Sequence, residues 1–220
     1  MLLPRPLKAV VFDMDGLLVD TELVVFEAMK ASCLGVGRKM PFDLFRRLVG
    51  LPGHVSDQIV VEHFGEGFDV SAWRDGVAHH FREIAAAGIA LKAGVVELLD
   101  VLDARGLPRA VATSSTRVAV DYSLGQHGLI ERFGAIISRE LQTHHKPHPD
   151  PFLKAAAAIG VDPADCLALE DSHNGVRAAA AAGMMTIMVP DLLDPTEEMQ
   201  GLALHIARDL HEVRTMLELG

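Results

Sequence analysis

Ala9-Val-Val-Phe-Asp13-Met-Asp15-Gly16-Leu-Leu-Val-Asp20-Thr21-Glu22 is the stretch on which the fold turns. Val10 to Phe12 form a short apolar, mostly β-branched run, the pattern of a strand buried on both faces. The run stops at two carboxylates separated by one residue, and then a glycine. In extended chain, residues i and i+2 point the same way, so Asp13 and Asp15 look into one space beyond the strand end. Gly16 lets the backbone turn sharply there. Two acids so placed cost free energy unless a cation sits between them or they do chemistry. A polar turn closing a buried strand uses the same residue types. What else returns to this place decides between the two.

The chain has 220 residues and half are apolar, ample for one large domain or two small ones. Lys and Arg number 20 against 30 Asp and Glu, a formal charge of −10, and there is no basic run. Nucleic acid and anionic membrane surfaces are therefore not expected as partners. An acidic protein with an anionic substrate needs local positive charge, from a metal or from a few placed Lys or Arg residues. Cys33 falls in a helical pattern and Cys166 opens an apolar strand, so both are expected as small core residues and not as a disulfide. The N-terminus is too short and too interrupted for a signal peptide, and no apolar run reaches spanning length. A reducing cytoplasm is the expected compartment.

After the first strand, Asp20 or Thr21 is a suitable N-cap for a helix. The helical pattern then continues to about residue 88. Leu23, Phe26 and Met29 sit at helical spacing before Gly35 and Gly37 break it. Pro41 opens a second helix, residues 50–53 form a loop, and residues 55–64 and 70–87 read as two more helices. This predicts an all-helical cap over residues 21–88, inserted into an α/β core of residues 1–20 and 89–220. Beyond Gly94 the rhythm changes to alternation. Strands are expected over 109–112, 135–137, 166–169 and 186–189, with an edge strand over 202–206. Helices are expected between them and over 210–219. Such alternation means a Rossmann-like parallel sheet covered by helices on both faces, with its site at the carboxyl ends of the strands.

Several of those strand ends carry polar residues suited to one purpose. Val111-Ala112 runs into Thr113-Ser114-Ser115-Thr116 before a helix. Hydroxyls and free N–H groups at a helix start bind anions, though the same residues serve as plain N-caps. The strand ending at Leu169 runs into Glu170-Asp171-Ser172, where the acids again allow either a site or a cap by Asp171 or Ser172. Lys146 lies between them in His144-His145-Lys146-Pro147-His148-Pro149, a Pro-containing loop entering a helix. The histidines match no zinc spacing and are expected as a polar loop. Together these stretches offer acids for one hard cation, donors for an oxyanion, and a lysine. Mg²⁺ favours oxygen ligands and few protein carboxylates, and phosphoryl transfer needs charge stabilisation and alignment above all.

Four stretches, Asp13-Met-Asp15-Gly-Leu-Leu-Val-Asp20-Thr21, Ala112-Thr113-Ser114-Ser115, Lys146-Pro-His-Pro-Asp150-Pro-Phe and Glu170-Asp171-Ser-His-Asn-Gly175-Val, resemble in order the motifs of the haloacid dehalogenase superfamily. The resemblance is strongest to the phosphatase and β-phosphoglucomutase branch, with its helical cap after motif one. It implies that Asp13 is the nucleophile, forming an aspartyl-phosphate. It implies that Asp15 is the general acid and then the base that activates water. Mg²⁺ would be held by the Asp13 carboxylate, the Asp15 carbonyl and Asp171, with Glu170 supporting it directly or from behind. Thr113 and the Ser114 N–H would bind phosphoryl oxygens, and Lys146 would neutralise charge between Asp13 and the phosphate.

Dehalogenases of the superfamily lack an acid two residues after the first, so Asp15 argues for phosphate. β-Phosphoglucomutases carry a cap histidine near the position of Val25 and cap-loop cations where this chain has Val49-Gly-Leu-Pro-Gly53. Hydrolysis of a small phosphorylated metabolite, such as a sugar phosphate, is therefore expected ahead of a phosphosugar mutase. Cap hinges near Asp20–Thr21 and Lys92–Gly94 would exclude water on closure, with Val25, Leu51 and Pro52 placed toward the leaving group. A monomer is expected.

Overall fold

In the computed structural model, which describes residues 3–49, 51 and 53–219, the opening apolar run is β1, Ala9–Phe12, with every residue fully buried. The other strands are β2 (Arg109–Ala112), β3 (Ala135–Ile137), β4 (Cys166–Glu170), β5 (Met185–Met188) and β6 (His205–Ile206). They form one parallel sheet in the order β3-β2-β1-β4-β5-β6. From β1 the chain builds outward through β2 and β3, then returns to add β4 on the other side. That reversal leaves a crevice at the carboxyl ends of β1 and β4, the place where open α/β sheets bind ligands. Phe12 is in register with both Val111 and Leu169, so the residues that follow these three leave the sheet at nearly one level.

Among the described residues five helices lie between β1 and β2, the first four being α1 (Thr21–Gly35), α2 (Phe42–Leu48), α3 (Gly53–Phe64) and α4 (Val70–Ala86). The rest are α5 (Val95–Ala104), α6 (Arg117–Gly125), α7 (Asp150–Ala158), α8 (His173–Ala181), α9 (Glu197–Leu202) and α10 (Leu210–Leu219). The chain divides into two compact units, one of Met1–Val19 with Ala90–Gly220 and one of Asp20–Ile89. Within the helical unit, α1 packs on α4. Ser32 Oγ donates to the Trp73 carbonyl at 2.6 Å, and Gly76 lies where a Cβ would collide with Ser32. Asp20 holds the N-cap position of α1 without making a side-chain capping bond. Gly50 and Pro52, expected in a loop, lie outside the described residues.

The alanine-rich helices explain how the sheet is covered. Ala155 and Ala156 of α7, with Ala178 and Ala179 of α8, are fully buried against Ala9, Val11, Ala110, Ala112 and Ala168 on one sheet face. Small side chains on both sides let helix and sheet approach closely while keeping the density of a packed interior. Cys33 and Cys166 are buried free thiols. No described helix is long and apolar enough to cross a membrane.

The C-terminal edge departs from expectation. The strand expected over 202–206 is reduced to His205–Ile206, because Leu202 ends α9. Thr196 caps that helix by accepting from Met199 N at 3.3 Å, and Met199 is buried against Val176 and Met188. A cap and a single buried side chain hold the six-residue α9. That is too short a stretch for apolar periodicity to reveal.

Candidate active site

Asp13 extends the ladder of β1 by one bond, its N–H donating to the Leu169 carbonyl at 3.0 Å. The chain then turns back on itself, with the Met14 carbonyl accepting from Leu18 N at 2.8 Å and Val19 N at 3.1 Å. Gly16 holds φ at +83°, and a Cβ on it would run into Asp171 Oδ2. Handedness and space both demand glycine there. Asp13 is buried beneath this turn.

Asp15 has different company. Its Oδ2 accepts from Thr113 Oγ1 at 3.2 Å and from Ser115 Oγ at 2.6 Å. Thr113 follows β2 and is fully buried; its hydroxyl also accepts from Ser115 N at 3.0 Å. Gln142 Nε2 donates to the Thr113 carbonyl at 2.6 Å and pins the loop from the other side. Ser114 is exposed, and its carbonyl accepts from Arg139 Nε at 3.0 Å.

Lys146 reaches in from the loop before α7, its side chain only 6 % exposed. Its Nζ donates to Asp13 Oδ1 and, at 2.5 Å, to Glu170 Oε1, and lies 5.0 Å from the centre of the Phe152 ring. The Lys146–Pro147 peptide is cis. Glu170, at the end of β4, uses its second oxygen on Ser172 N and Ser172 Oγ, each at 3.0 Å. Ser172 Oγ in turn accepts from Gly175 N at 3.1 Å, so Ser172 and not Asp171 caps α8. Gly175 is glycine because a Cβ there would occupy the place of the Glu170 carboxylate. One chain of contacts thus runs from Asp13 through Lys146 and Glu170 to the start of α8.

The charges do not balance. Asp13, Glu170 and Asp171 offer carboxylate oxygens that lie within 4.8 Å of one another, with Lys146 as the ammonium between two of them. Burial pushes Asp13 up to about 8; Lys146 opposes the rise, while Glu170 and Asp15 add to it. Burial likewise raises Asp171 well above the ordinary carboxylate value, helped by Glu170 and Asp13. For Lys146, burial works against the charged form, yet Asp13 and Glu170 hold it above the ordinary lysine value. The donor set is all oxygen, with Asp13 and Glu170 buried and Asp171 half-buried, and is in surplus negative charge. Those properties fit a hard divalent cation and suit neither a thiolate-seeking nor an imidazole-seeking metal.

The histidines near Lys146 take no part in this cluster. The rings of His144 and His148 lie 4.4 Å apart, His145 Nδ1 pairs with Gln142 Oε1 at 3.1 Å, and His148 Nδ1 accepts from Asp150 N at 3.2 Å. They shape the loop. Around the site stand residues that sequence reasoning did not select. Ser115 was visible in the Thr-Ser-Ser-Thr run, but nothing there distinguished it from a cap. Gln142 and Asp191 arrive from loops that carry no local signal, and Lys92, singled out only as part of a cap hinge, pairs with Asp191 at 2.7 Å.

Residues 10–189 match a family model described as haloacid dehalogenase-like hydrolase. A protein of Cupriavidus necator named CbbY, plasmid, is 32% identical over 213 residues, covering 90% of this chain and 84% of its own. Hexitol phosphatase B of Escherichia coli K12 is 34% identical over 197 residues, covering 85% of each. Among solved structures, a HAD family hydrolase of Deinococcus radiodurans with bound phosphate and sodium superposes with a TM-score of 0.85 at 25% identity, covering 97% of this chain and 96% of that one.

Proposed function

Because this chain belongs to the haloacid dehalogenase-like hydrolases, in their phosphatase and β-phosphoglucomutase-like branch, we propose that it hydrolyses a small phosphorylated metabolite by way of an aspartyl-phosphate on Asp13. It is a phosphoric monoester hydrolase; a sugar phosphate is the substrate class favoured here, and the active species is a cytoplasmic monomer. The observation that carries the mechanism is the contrast between two acids one residue apart. Asp13 touches Lys146 within the carboxylate cluster, whereas Asp15 is held by two hydroxyls. Carboxylates whose surroundings differ in this way take different roles in one reaction.

In the first step an Asp13 carboxylate oxygen attacks phosphorus, and the bond to the leaving oxygen breaks. Asp15 delivers a proton to that oxygen. In the second step Asp15 takes a proton from water as the water attacks phosphorus, and the Asp13–phosphorus bond breaks. Ser115 holds Asp15 in one orientation through both steps, while the single hydroxyl proton of Thr113 turns from Asp15 to a phosphoryl oxygen when substrate binds. Lys146 keeps its charge against Asp13 and offsets the negative charge shared with the phosphoryl oxygens, some of which accept from Thr113 and the Ser114 N–H. Asp13, Asp171 and the Asp15 carbonyl would hold Mg²⁺, which when bound neutralises the surplus carboxylate charge and polarises the phosphoryl group. Glu170 acts through Lys146 and Ser172, since both its oxygens are engaged there.

Hydrolysis is favoured over a mutase because the chain has Val25 and the cation-free stretch 49–53 where mutases of this family carry charged cap residues. Phosphate release should be measured over a panel of sugar phosphates, nucleotides and phosphoglycolate, with Mg²⁺ and with EDTA. Release that needs Mg²⁺ is expected. Activity that survives EDTA would remove the metal from the mechanism. Conversion of a hexose 1-phosphate to its isomer in the presence of the bisphosphate, without net phosphate release, would overturn the choice of hydrolase.

A further inference from the structure

Asp191 lies in the loop beyond β5, within the same unit as the carboxylate cluster. Its Oδ1 accepts from Lys92 Nζ at 2.7 Å, and the two side chains are 13 % and 25 % exposed. Its Oδ2 is buried and has no hydrogen-bond partner among the described residues. Lys92 is fixed in turn, because its own N–H donates to the Leu18 carbonyl at 3.0 Å, in the turn that follows Asp13 and Asp15. The orphan oxygen faces the Gly16 turn. A Cβ built on Gly16 would lie 3.4 Å from Asp191 Oδ2 and would collide with Asp171 Oδ2, so both oxygens border one small space.

A buried carboxylate oxygen with no donor is costly, and native structures rarely leave one so. No donor among the described residues reaches it. A hard cation held at Asp171 keeps several waters, and groups behind the ligands orient what the ligands hold. We propose that Asp191 is a positioning residue for the metal's water shell: its Oδ2 accepts from a metal-bound water, and Lys92 fixes the carboxylate in the orientation that allows it. Asp191 itself is not a ligand. The inference rests on the proposed Mg²⁺ site.

Calorimetric titration of Mg²⁺ into the EDTA-stripped, dialysed full chain tests it without reference to turnover. Asp191→Asn should weaken Mg²⁺ binding about tenfold or more. Asp165→Asn, which removes a distant surface charge paired with Lys8, should leave binding unchanged. Lys92→Met separates positioning from simple charge. Removing a nearby cation strengthens binding of another cation if only the field matters. It weakens binding if Lys92 works by holding Asp191 in place, and weakening is the expected result. Tighter binding by Lys92→Met, or an Asp191→Asn affinity within about twofold of wild type, would overturn the inference. If Asp191→Asn does not fold by circular dichroism, the sign of the Lys92→Met effect decides alone. Wild-type protein that binds no Mg²⁺ would overturn the metal site itself, whereas wild-type binding unchanged by either variant overturns only the role given to Asp191.

Discussion

Glu170→Gln keeps the shape of a buried side chain and removes its charge. Glu170 is fully buried and accepts from Lys146 Nζ at 2.5 Å and from Ser172 N and Oγ at 3.0 Å each. An amide brings one acceptor oxygen and one donor nitrogen to the same positions. If the oxygen stays with Lys146, the nitrogen can reach the Ser172 hydroxyl, but the Ser172 N–H loses its partner. If the oxygen turns to Ser172, the nitrogen meets the ammonium. The first arrangement is cheaper. It costs about 1–3 kcal/mol for the stranded N–H and about 1 kcal/mol for weakening a charge-assisted bond. Losing the Glu170 charge also relieves its repulsion of Asp13 and Asp171, so the expected net loss at neutral pH is about 1–3 kcal/mol, measured by urea unfolding in EDTA and followed by circular dichroism. Hydrolysis of p-nitrophenyl phosphate at saturating Mg²⁺ should fall about ten- to hundredfold, because Lys146 keeps both partners but only Asp13 remains charged. A stability loss under about 1 kcal/mol would show that the three bonds do not hold this corner together.

Asp13→Asn should abolish turnover of p-nitrophenyl phosphate while leaving the circular dichroism spectrum unchanged; substantial residual turnover would remove Asp13 from the nucleophile role. Gly16→Ala should lose activity and Mg²⁺ affinity together, because the new methyl group collides with Asp171 Oδ2 at a positive φ; calorimetry and phosphate release both check it. Glu212 is pulled down from 4.5 to about 2 by His205 and by the backbone and guanidinium of Arg208. Its folded value lies below its unfolded one, so its contribution is complete above pH 4.5 and is lost as pH falls toward 2. Glu212→Gln should thus unfold at lower urea than wild type at neutral pH and converge with it in acid; a constant difference across that range would contradict the assignment.

Much of this architecture could be read from short-range pattern. β1 declares itself by an apolar run that stops at Asp13, and the i, i+2 rule puts Asp13 and Asp15 on one side of the chain. The structure adds that they have separate partners, which spacing cannot reveal because Thr113, Ser115 and Lys146 come from distant loops. Glu170 and Asp171 were visible as acids at a strand end. That Glu170 turns back to Lys146 and Ser172 follows from the register of β4 against β1 and from the missing side chain at Gly175, both tertiary facts. The Lys92–Asp191 pair is separated by almost a hundred positions and has no motif at either end. The helix over 197–202 stayed hidden for a local reason, since only Met199 anchors it in the core.

The central claim is that Asp13 takes up the phosphoryl group and Asp15 then activates water to remove it. With p-nitrophenyl phosphate the leaving oxygen departs without help from an acid, so Asp15→Asn should form the acyl phosphate and fail to clear it. Rapid acid quench of that variant with Mg²⁺ and substrate, followed by peptide mass spectrometry, reads this directly. One phosphoryl group accumulating on the Asp13 peptide is the predicted result. Phosphate release by this variant with Asp13 unmodified throughout, or with the phosphoryl group on another residue, would contradict it.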